Sequence, residues 1–195
     1  TDFEHSDFSY ANMQDTKHDH TNFDYTNCTC TNFYGASFKY TTFSNGVLFE
    51  SNFTITKHID TIFCEIDGEG VNFTGSDMVY PCFPYANLKK ANFRYVKFDQ
   101  GANFNRANCT EANFYDISSI ENEDEESFQD PLNFENAILI EANLKYAKLK
   151  WAILRGVDLT RANLESADLL FTYLEGANMT NILNLNRAFL WNTHF

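Results

Sequence analysis

Ala142-Asn143-Leu144-Lys145-Tyr146-Ala147-Lys148-Leu149-Lys150-Trp151-Ala152-Ile153-Leu154 carries the pattern that decides the fold. A small residue is followed by one that is usually Asn or Asp, then by Leu or Phe, then by two free positions. Thr21-Asn22-Phe23, Ala91-Asn92-Phe93, Ala162-Asn163-Leu164 and Ala177-Asn178-Met179 repeat it. A period of five suits neither an α-helix nor an ordinary strand. A unit this short cannot bury its own apolar residue, so it must stack on copies of itself.

With the third residue of each unit as its centre, one register runs from Phe3 to Phe98. Gly101 shifts the frame by one residue, and centres Phe104, Cys109 and Phe114 follow. Residues 117–131 do not fit. The beat resumes at Phe134, holds to Met179, slips once more at Ile182 and then allows centres Leu185, Leu190 and Phe195. Ile182, Leu185 and Phe189 also suit helical spacing, but Ala188-Phe189-Leu190 and Thr193-His194-Phe195 favour repeats.

Centres twenty residues apart resemble one another, as four units per coil would require. One column reads Phe3, Phe23, Phe43, Phe63, Phe83 and Phe104. A second reads Met13, Phe33, Phe53, Phe73, Phe93 and Phe114. A third holds Phe8, Cys28, Leu48, Gly68, Leu88 and Cys109, and the fourth His18, Phe38, His58, Met78 and Phe98. The first half is therefore expected to be Phe-packed and the part beyond the insertion Leu-packed.

The pattern resembles the pentapeptide-repeat family, whose consensus is Ala-(Asp/Asn)-(Leu/Phe)-X-X, and the resemblance covers almost the whole chain. It implies an all-β fold, a right-handed quadrilateral parallel β-helix. About nine coils at about 4.8 Å each would make a rod of about 43 Å. The chain reads as one domain over residues 1–195, with an acidic loop inserted at 117–131. Neither end shows the polar cap a solenoid needs, so it is read as a fragment or an excised domain.

The net charge is −13. Residues 1–85 hold 12 acidic and 3 basic side chains, whereas residues 132–195 hold six of each. The insertion holds Glu121, Glu123, Asp124, Glu125, Glu126 and Asp130 without a base. Such a balance argues against direct nucleic-acid binding. No apolar run is long enough for a membrane span, and no signal peptide is visible. The expected location is cytoplasmic, in a bacterium or in a host cell receiving a secreted effector. Five cysteines, Cys28, Cys30, Cys64, Cys82 and Cys109, are odd in number and scattered over unit positions. They point to a reducing compartment rather than a disulfide framework.

The interruptions are where chemistry would sit. The acidic insertion is a candidate partner-binding loop, since insertions into repeats map to surface loops. It lacks the spacing of a calcium loop. Ile66-Asp67-Gly68-Glu69-Gly70 places a large residue at the small position and Gly at the centre, which suggests a local bulge. Thr16-Lys17-His18 recurs as Thr56-Lys57-His58 on one wall, and hydrogen-bonded core histidines are expected there. No nucleophile-base grouping, phosphate loop or metal motif is present, so neither enzyme activity nor a cofactor or metal is expected.

The functional expectation is a non-catalytic protein-binding or scaffold module. It could be the repeat domain of a larger bacterial protein, or of an effector whose HECT-like ubiquitin ligase region lies outside this segment. The alternative implied by the resemblance is a DNA mimic that binds DNA gyrase or topoisomerase IV, as quinolone-resistance members of the family do.

Overall fold

A computed structural model describes residues 1–119 and 130–195. Each unit is a short extended arm followed by a corner, and the backbone hydrogen bonds explain why five residues close the unit. Asn22 N–H donates to Thr1 O on one neighbouring coil at 2.8 Å. Phe23 and Tyr25 N–H donate to Thr42 O and Ser44 O on the other, at 2.7 and 2.9 Å. Thr26 N–H closes the corner onto Phe23 O at 3.2 Å. The remaining amide, Asp24 N–H, points where no backbone acceptor stands, and the Asn22 side chain takes it at 2.8 Å. Five consecutive amides are thus all satisfied, and where the second residue of a unit is Asn or Asp its side chain completes the set. The Asn-X-Thr spacing arises the same way, as when Asn52 Oδ1 accepts the Thr54 N–H at 3.0 Å.

The last residue of the unit turns the corner in the left-handed region, as at Tyr25 (φ 56°), Glu65 (φ 55°), Arg106 (φ 57°) and Tyr146 (φ 61°). That conformation is unfavourable for a residue with a side chain. It persists because coil-to-coil hydrogen bonds and the packed interior over-determine it.

Stacking the units yields a parallel β-solenoid with four faces. On one face the arms form a six-stranded parallel sheet in chain order: β1 (Lys17–Asp19), β2 (Ser37–Lys39), β3 (Lys57–Ile59), β4 (Asp77–Val79), β5 (Lys97–Asp99) and β6 (Ser118–Ser119). The continuous sheet thus covers five turns rather than the nine coils expected. Elsewhere stacking proceeds through isolated parallel bridges, such as Asp2 to Asn22, Cys82 to Asn103, Asn103 to Asn133 and Tyr173 to His194.

The core is filled by the centres and the small residues. Phe3, Phe23, Phe43, Phe63, Phe83 and Phe104 form one column, with successive ring centroids 4.8 to 5.3 Å apart, and Phe134 continues it at 4.7 Å. Rings of neighbouring columns meet edge to face, as Phe43 does with Phe53 at 5.7 Å and 85°. Such pairs add about 0.5–1.5 kcal/mol beyond area burial. Leu139, Leu144, Leu149, Leu154, Leu159, Leu164, Leu169 and Leu174 fill the later coils. Inward hydroxyls reach backbone carbonyls, Thr26 Oγ1 donating to Phe23 O of its own unit at 2.6 Å and Ser51 Oγ to Cys28 O of the neighbouring coil at 2.6 Å, whereas Thr61 Oγ1 is buried without a partner.

The irregularities differ from their sequence reading in instructive ways. At Ile66–Gly70 there is no bulge, because Val47, Asp67 and Asn87 keep the regular pairing. The interior is compensated instead: a Cβ on Gly68 would lie 3.1 Å from Ile66 Cδ1 and 3.3 Å from Val71 Cγ1. The oversized small-position residues occupy the room that a large centre would take.

The slip at Gly101 is an extra corner residue, with Gln100 (φ 62°) and Gly101 (φ 48°) both left-handed. The coil then continues further than expected. Ile117 is fully buried, and Ser118 and Ser119 pair with Lys97 and Phe98. A serine at a centre position hides this register from a hydrophobic pattern. Leu132 is back inside the core, and Asn133 pairs with Asn103. Near the C-terminus the slip is taken up by a single 3-10 turn, Leu185–Arg187, after left-handed Asn184. The repeat resumes with Phe189 opposite Asp168. Helix and repeat readings each hold for part of this segment.

Candidate interaction surface

Among the acidic-loop candidates, Glu121, Glu123, Asp124, Glu125 and Glu126 lie outside the described residues. Asp130 is exposed at the foot of the loop, and its carbonyl oxygen would stand 2.5 Å from a Cβ on Gly101. Ser119, opposite Phe98, and Asp130, against Gly101, thus both stand near the corner that carries the Gly101 slip, one coil on.

That corner line leads directly to an exposed aromatic edge. Trp151 and Phe171 stack with centroids 4.1 Å apart, and Trp191 meets Phe171 edge-on at 5.0 Å. Trp151 and Phe171 are left-handed corner residues of successive coils, and Trp191 stands one residue before the next corner, Asn192. Trp151 is 48% and Trp191 69% exposed.

The opposite edge of the same face carries Tyr95, Tyr115 and Tyr146, with centroids 5.5 Å apart at each step. Arg94 covers Tyr95 and Tyr115 at 5.2 and 5.3 Å, and Lys145 approaches Tyr146 at 5.7 Å. Between the edges the outward residues are Lys148, Asp168 and Phe189, the last 58% exposed. A shallow cleft of about 440 Å³ runs between Tyr115, Tyr146, Lys148 and Phe189. This face is flat, bordered by rings and mixed in charge. The sequence analysis did not single it out; reading the free positions at intervals of twenty would have found both edges.

Ion pairs tie the surrounding coils together. Glu165 receives Lys145 at 2.8 Å and Arg187 at 3.0 Å, Glu175 receives Arg155 at 3.2 Å, and Arg161 pairs with Glu141. The two cations beside Glu165 hold its carboxyl below the usual range, the Lys145 hydrogen bond being the largest cause. Three of the six carboxylates of residues 132–195, Glu141, Glu165 and Glu175, are thus ion-paired with bases one coil away.

The buried histidines are packing groups. His18 and His58 sandwich Phe38, each ring 5.0 Å from it and nearly parallel. His18 Nε2 meets Thr16 Oγ1 at 2.9 Å and His58 Nε2 meets Thr56 Oγ1 at 2.8 Å. His58 Nδ1 is buried without a partner, and burial drives the ring pKa down to about 3. Cys28 and Cys109 are buried thiols, the former raised to about 11 by desolvation. Among the described residues no cluster of three metal-ligating side chains occurs, and no helix is long and apolar enough to cross a membrane.

Comparison with known proteins agrees with this architecture. The pentapeptide-repeat family pattern matches in eight copies over residues 19–54, 132–156 and 142–181. No curated protein matches the sequence. Among solved structures, HetL, a pentapeptide repeat protein involved in heterocyst differentiation regulation from the cyanobacterium Nostoc sp. strain PCC 7120, superposes with a TM-score of 0.55 at 21% identity. The alignment covers 99% of this chain and 82% of HetL. A trypsin-treated form of QnrB1, a plasmid-mediated fluoroquinolone resistance protein, gives a TM-score of 0.61 at 18% identity, covering 93% of this chain and 85% of that one. Full-length QnrB1 gives 0.57 at 17% identity, covering 93% and 90%. At such identities the likeness is one of fold. The repeated unit, its hydrogen-bond plan and the stacked coils make this chain a member of the pentapeptide-repeat proteins.

Proposed function

We propose that the chain is a non-catalytic protein-binding module, a rigid β-solenoid that presents one face to a protein partner. The observation that carries this reading is the aromatic-edged face, where Trp151, Phe189 and Trp191 stand exposed on a backbone fixed by coil-to-coil hydrogen bonds. Tryptophan and other aromatics on a rigid support are the residue types that anchor protein interfaces. The acidic loop, including Asp130 at its foot, springs from the line of corners that bears Trp151 and adds a charged arm for a basic region of that partner. On this reading residues 1–195 act as one domain within a larger bacterial or effector protein, working in a cytoplasm, and any catalytic region lies outside it.

Quantitative pull-downs would compare the native chain, a Trp151→Ala/Trp191→Ala variant and one lacking residues 121–126. Selective loss of the same partner from both variants supports the reading. Identical partner sets for all three would overturn it.

A second reading, DNA mimicry toward DNA gyrase or topoisomerase IV, is favoured by the excess of acid over residues 1–85. The balance of six acids and six bases over residues 132–195, with Glu141, Glu165 and Glu175 ion-paired, weakens it, because a mimic needs a net negative surface along its length. A gyrase supercoiling assay separates the two, and no effect at micromolar protein would exclude mimicry.

A further inference from the structure

Cys64 follows the centre Phe63, and Cys82 precedes the centre Phe83 on the next coil, where it pairs with Ile62. Polar side chains in this diagonal relation touch at two other places in the rod. Thr42 Oγ1 donates to Asp24 Oδ1 at 2.5 Å, and Asn178 Nδ2 to Thr160 Oγ1 at 3.1 Å. The two thiols stand in this same diagonal relation on adjacent coils, with Cys82 opposite Ile62, and each thiol perturbs the other. Both are outward and half-buried, unlike Cys28 and Cys109 in the core. Cys82 also borders a cleft of about 380 Å³ between Tyr80, Pro81, Asn103 and Asp130, which gives a small solute a path to it.

We propose that Cys64 and Cys82 form a two-thiol modification site for hydroperoxides, in which Cys82 is the sulfur oxidised first and Cys64 the resolving thiol. The Cys64 thiol beside it pulls the Cys82 pKa down to about 7, while Cys82, burial and the nearby carboxylates of Glu65 and Asp24 keep the proton on Cys64. A thiolate is the reactive form of cysteine. The Cys82 thiolate attacks one oxygen of hydrogen peroxide. A sulfur–oxygen bond forms, the oxygen–oxygen bond breaks, and hydroxide leaves and takes up a proton to become water. Cys82 is oxidised to the sulfenic acid. Cys64 then attacks that sulfur: the sulfur–sulfur bond forms, the sulfur–oxygen bond breaks, and hydroxide leaves with the Cys64 proton as a second water. Two thiols and one peroxide give one disulfide and two waters.

The disulfide would staple two adjacent coils. Cys30, half-buried with its sulfur 4.0 Å from Glu50 and no second thiol beside it, is the internal comparison.

The test is peroxide titration of the whole chain followed by peptide mass spectrometry. Cys64 and Cys82 fall on one tryptic peptide, residues 58–89, which should become two hydrogen atoms lighter while Cys30 stays reduced. In Cys64→Ser, Cys82 should be trapped by dimedone on the order of tenfold faster than Cys30. In Cys82→Ser, Cys64 should remain an unlabelled thiol. Circular dichroism identical to the native chain shows that the outward substitutions leave the fold intact. Should a variant misfold, the native-chain peptide result decides alone. Oxidation of Cys82 no faster than Cys30, or a dimedone adduct in the native chain that never converts to the internal link, would overturn the proposal.

Discussion

Ile66 fills the space that Gly68 leaves: its Cδ1 stands 3.1 Å from where a Cβ on Gly68 would be. The two positions have exchanged sizes within one unit, and interior volume is conserved although the repeat pattern is broken. Ile66→Ala should cost about 2–5 kcal/mol by opening a cavity, and Gly68→Leu about 1–3 kcal/mol by overpacking. The double substitution restores the family pattern, so its cost should fall below the sum of the two by about 2 kcal/mol. Urea midpoints of the four proteins measure the coupling, and simple additivity would refute the exchange.

Acid should loosen the solenoid through His58. Its neutral ring is held among Phe38, Phe53, Phe63 and Phe73, with a pKa of about 3, because burial penalises the charged form. In the unfolded chain the ring titrates near 6.5. The unfolded state therefore binds the extra proton as pH falls, so this contribution is complete above about pH 6.5 and declines from there toward pH 3. At pH 4.5 the loss is on the order of 2–3 kcal/mol. Burial moves His18 in the same direction. His58→Phe should flatten the pH dependence between pH 4.5 and 7, as thermal melts at several pH values would reveal.

Wall and corner residues should differ sharply. Phe63 is fully buried, with Phe43 and Phe83 stacked 5.3 and 4.8 Å away. Phe63→Ala should cost about 3–5 kcal/mol. Tyr40 is exposed at a corner, and Tyr40→Ala should cost under about 1 kcal/mol. Equal losses in denaturant titrations would contradict the placement of the walls.

Ile55 is a branched residue in the left-handed region, with φ 58°, and it is exposed. Asparagine tolerates that conformation far better than isoleucine. Ile55→Asn should therefore raise stability by about 1 kcal/mol while removing apolar surface from solvent. An unchanged or lower melting temperature would show that Ile55 makes a contact worth more than its strain.

The repeat was legible because a five-residue period leaves so few architectures open. The columns of twenty followed from it directly, and Phe23, Phe43 and Phe63 stand in one stack. What could not be read off the chain depends on volume or on diagonal neighbours. Ile66 and Gly68 look like a fault until their shapes are seen together. Ser119 looks like the interior of an insertion, yet it lies opposite Phe98. Cys64 and Cys82 look scattered because eighteen residues separate them, and only the corner geometry makes them neighbours. The exposed edge of Trp151, Phe171 and Trp191 was available at intervals of about twenty, but in positions the repeat leaves free.

The corner shared by Gly101 and Asp130 has a consequence for how such a rod can change length. The one-residue slip lies there and Ser119 and Asp130 on either side of the long insertion stand near it, and the pairs Cys82–Asn103 and Asn103–Asn133 on the following wall stay in step across them. The corner works as a splice point: chain can be added or removed at that edge without renumbering the interior columns. New segments grafted between Ser119 and Asp130 would be carried beside the Trp151 edge while the coils above and below keep their alignment.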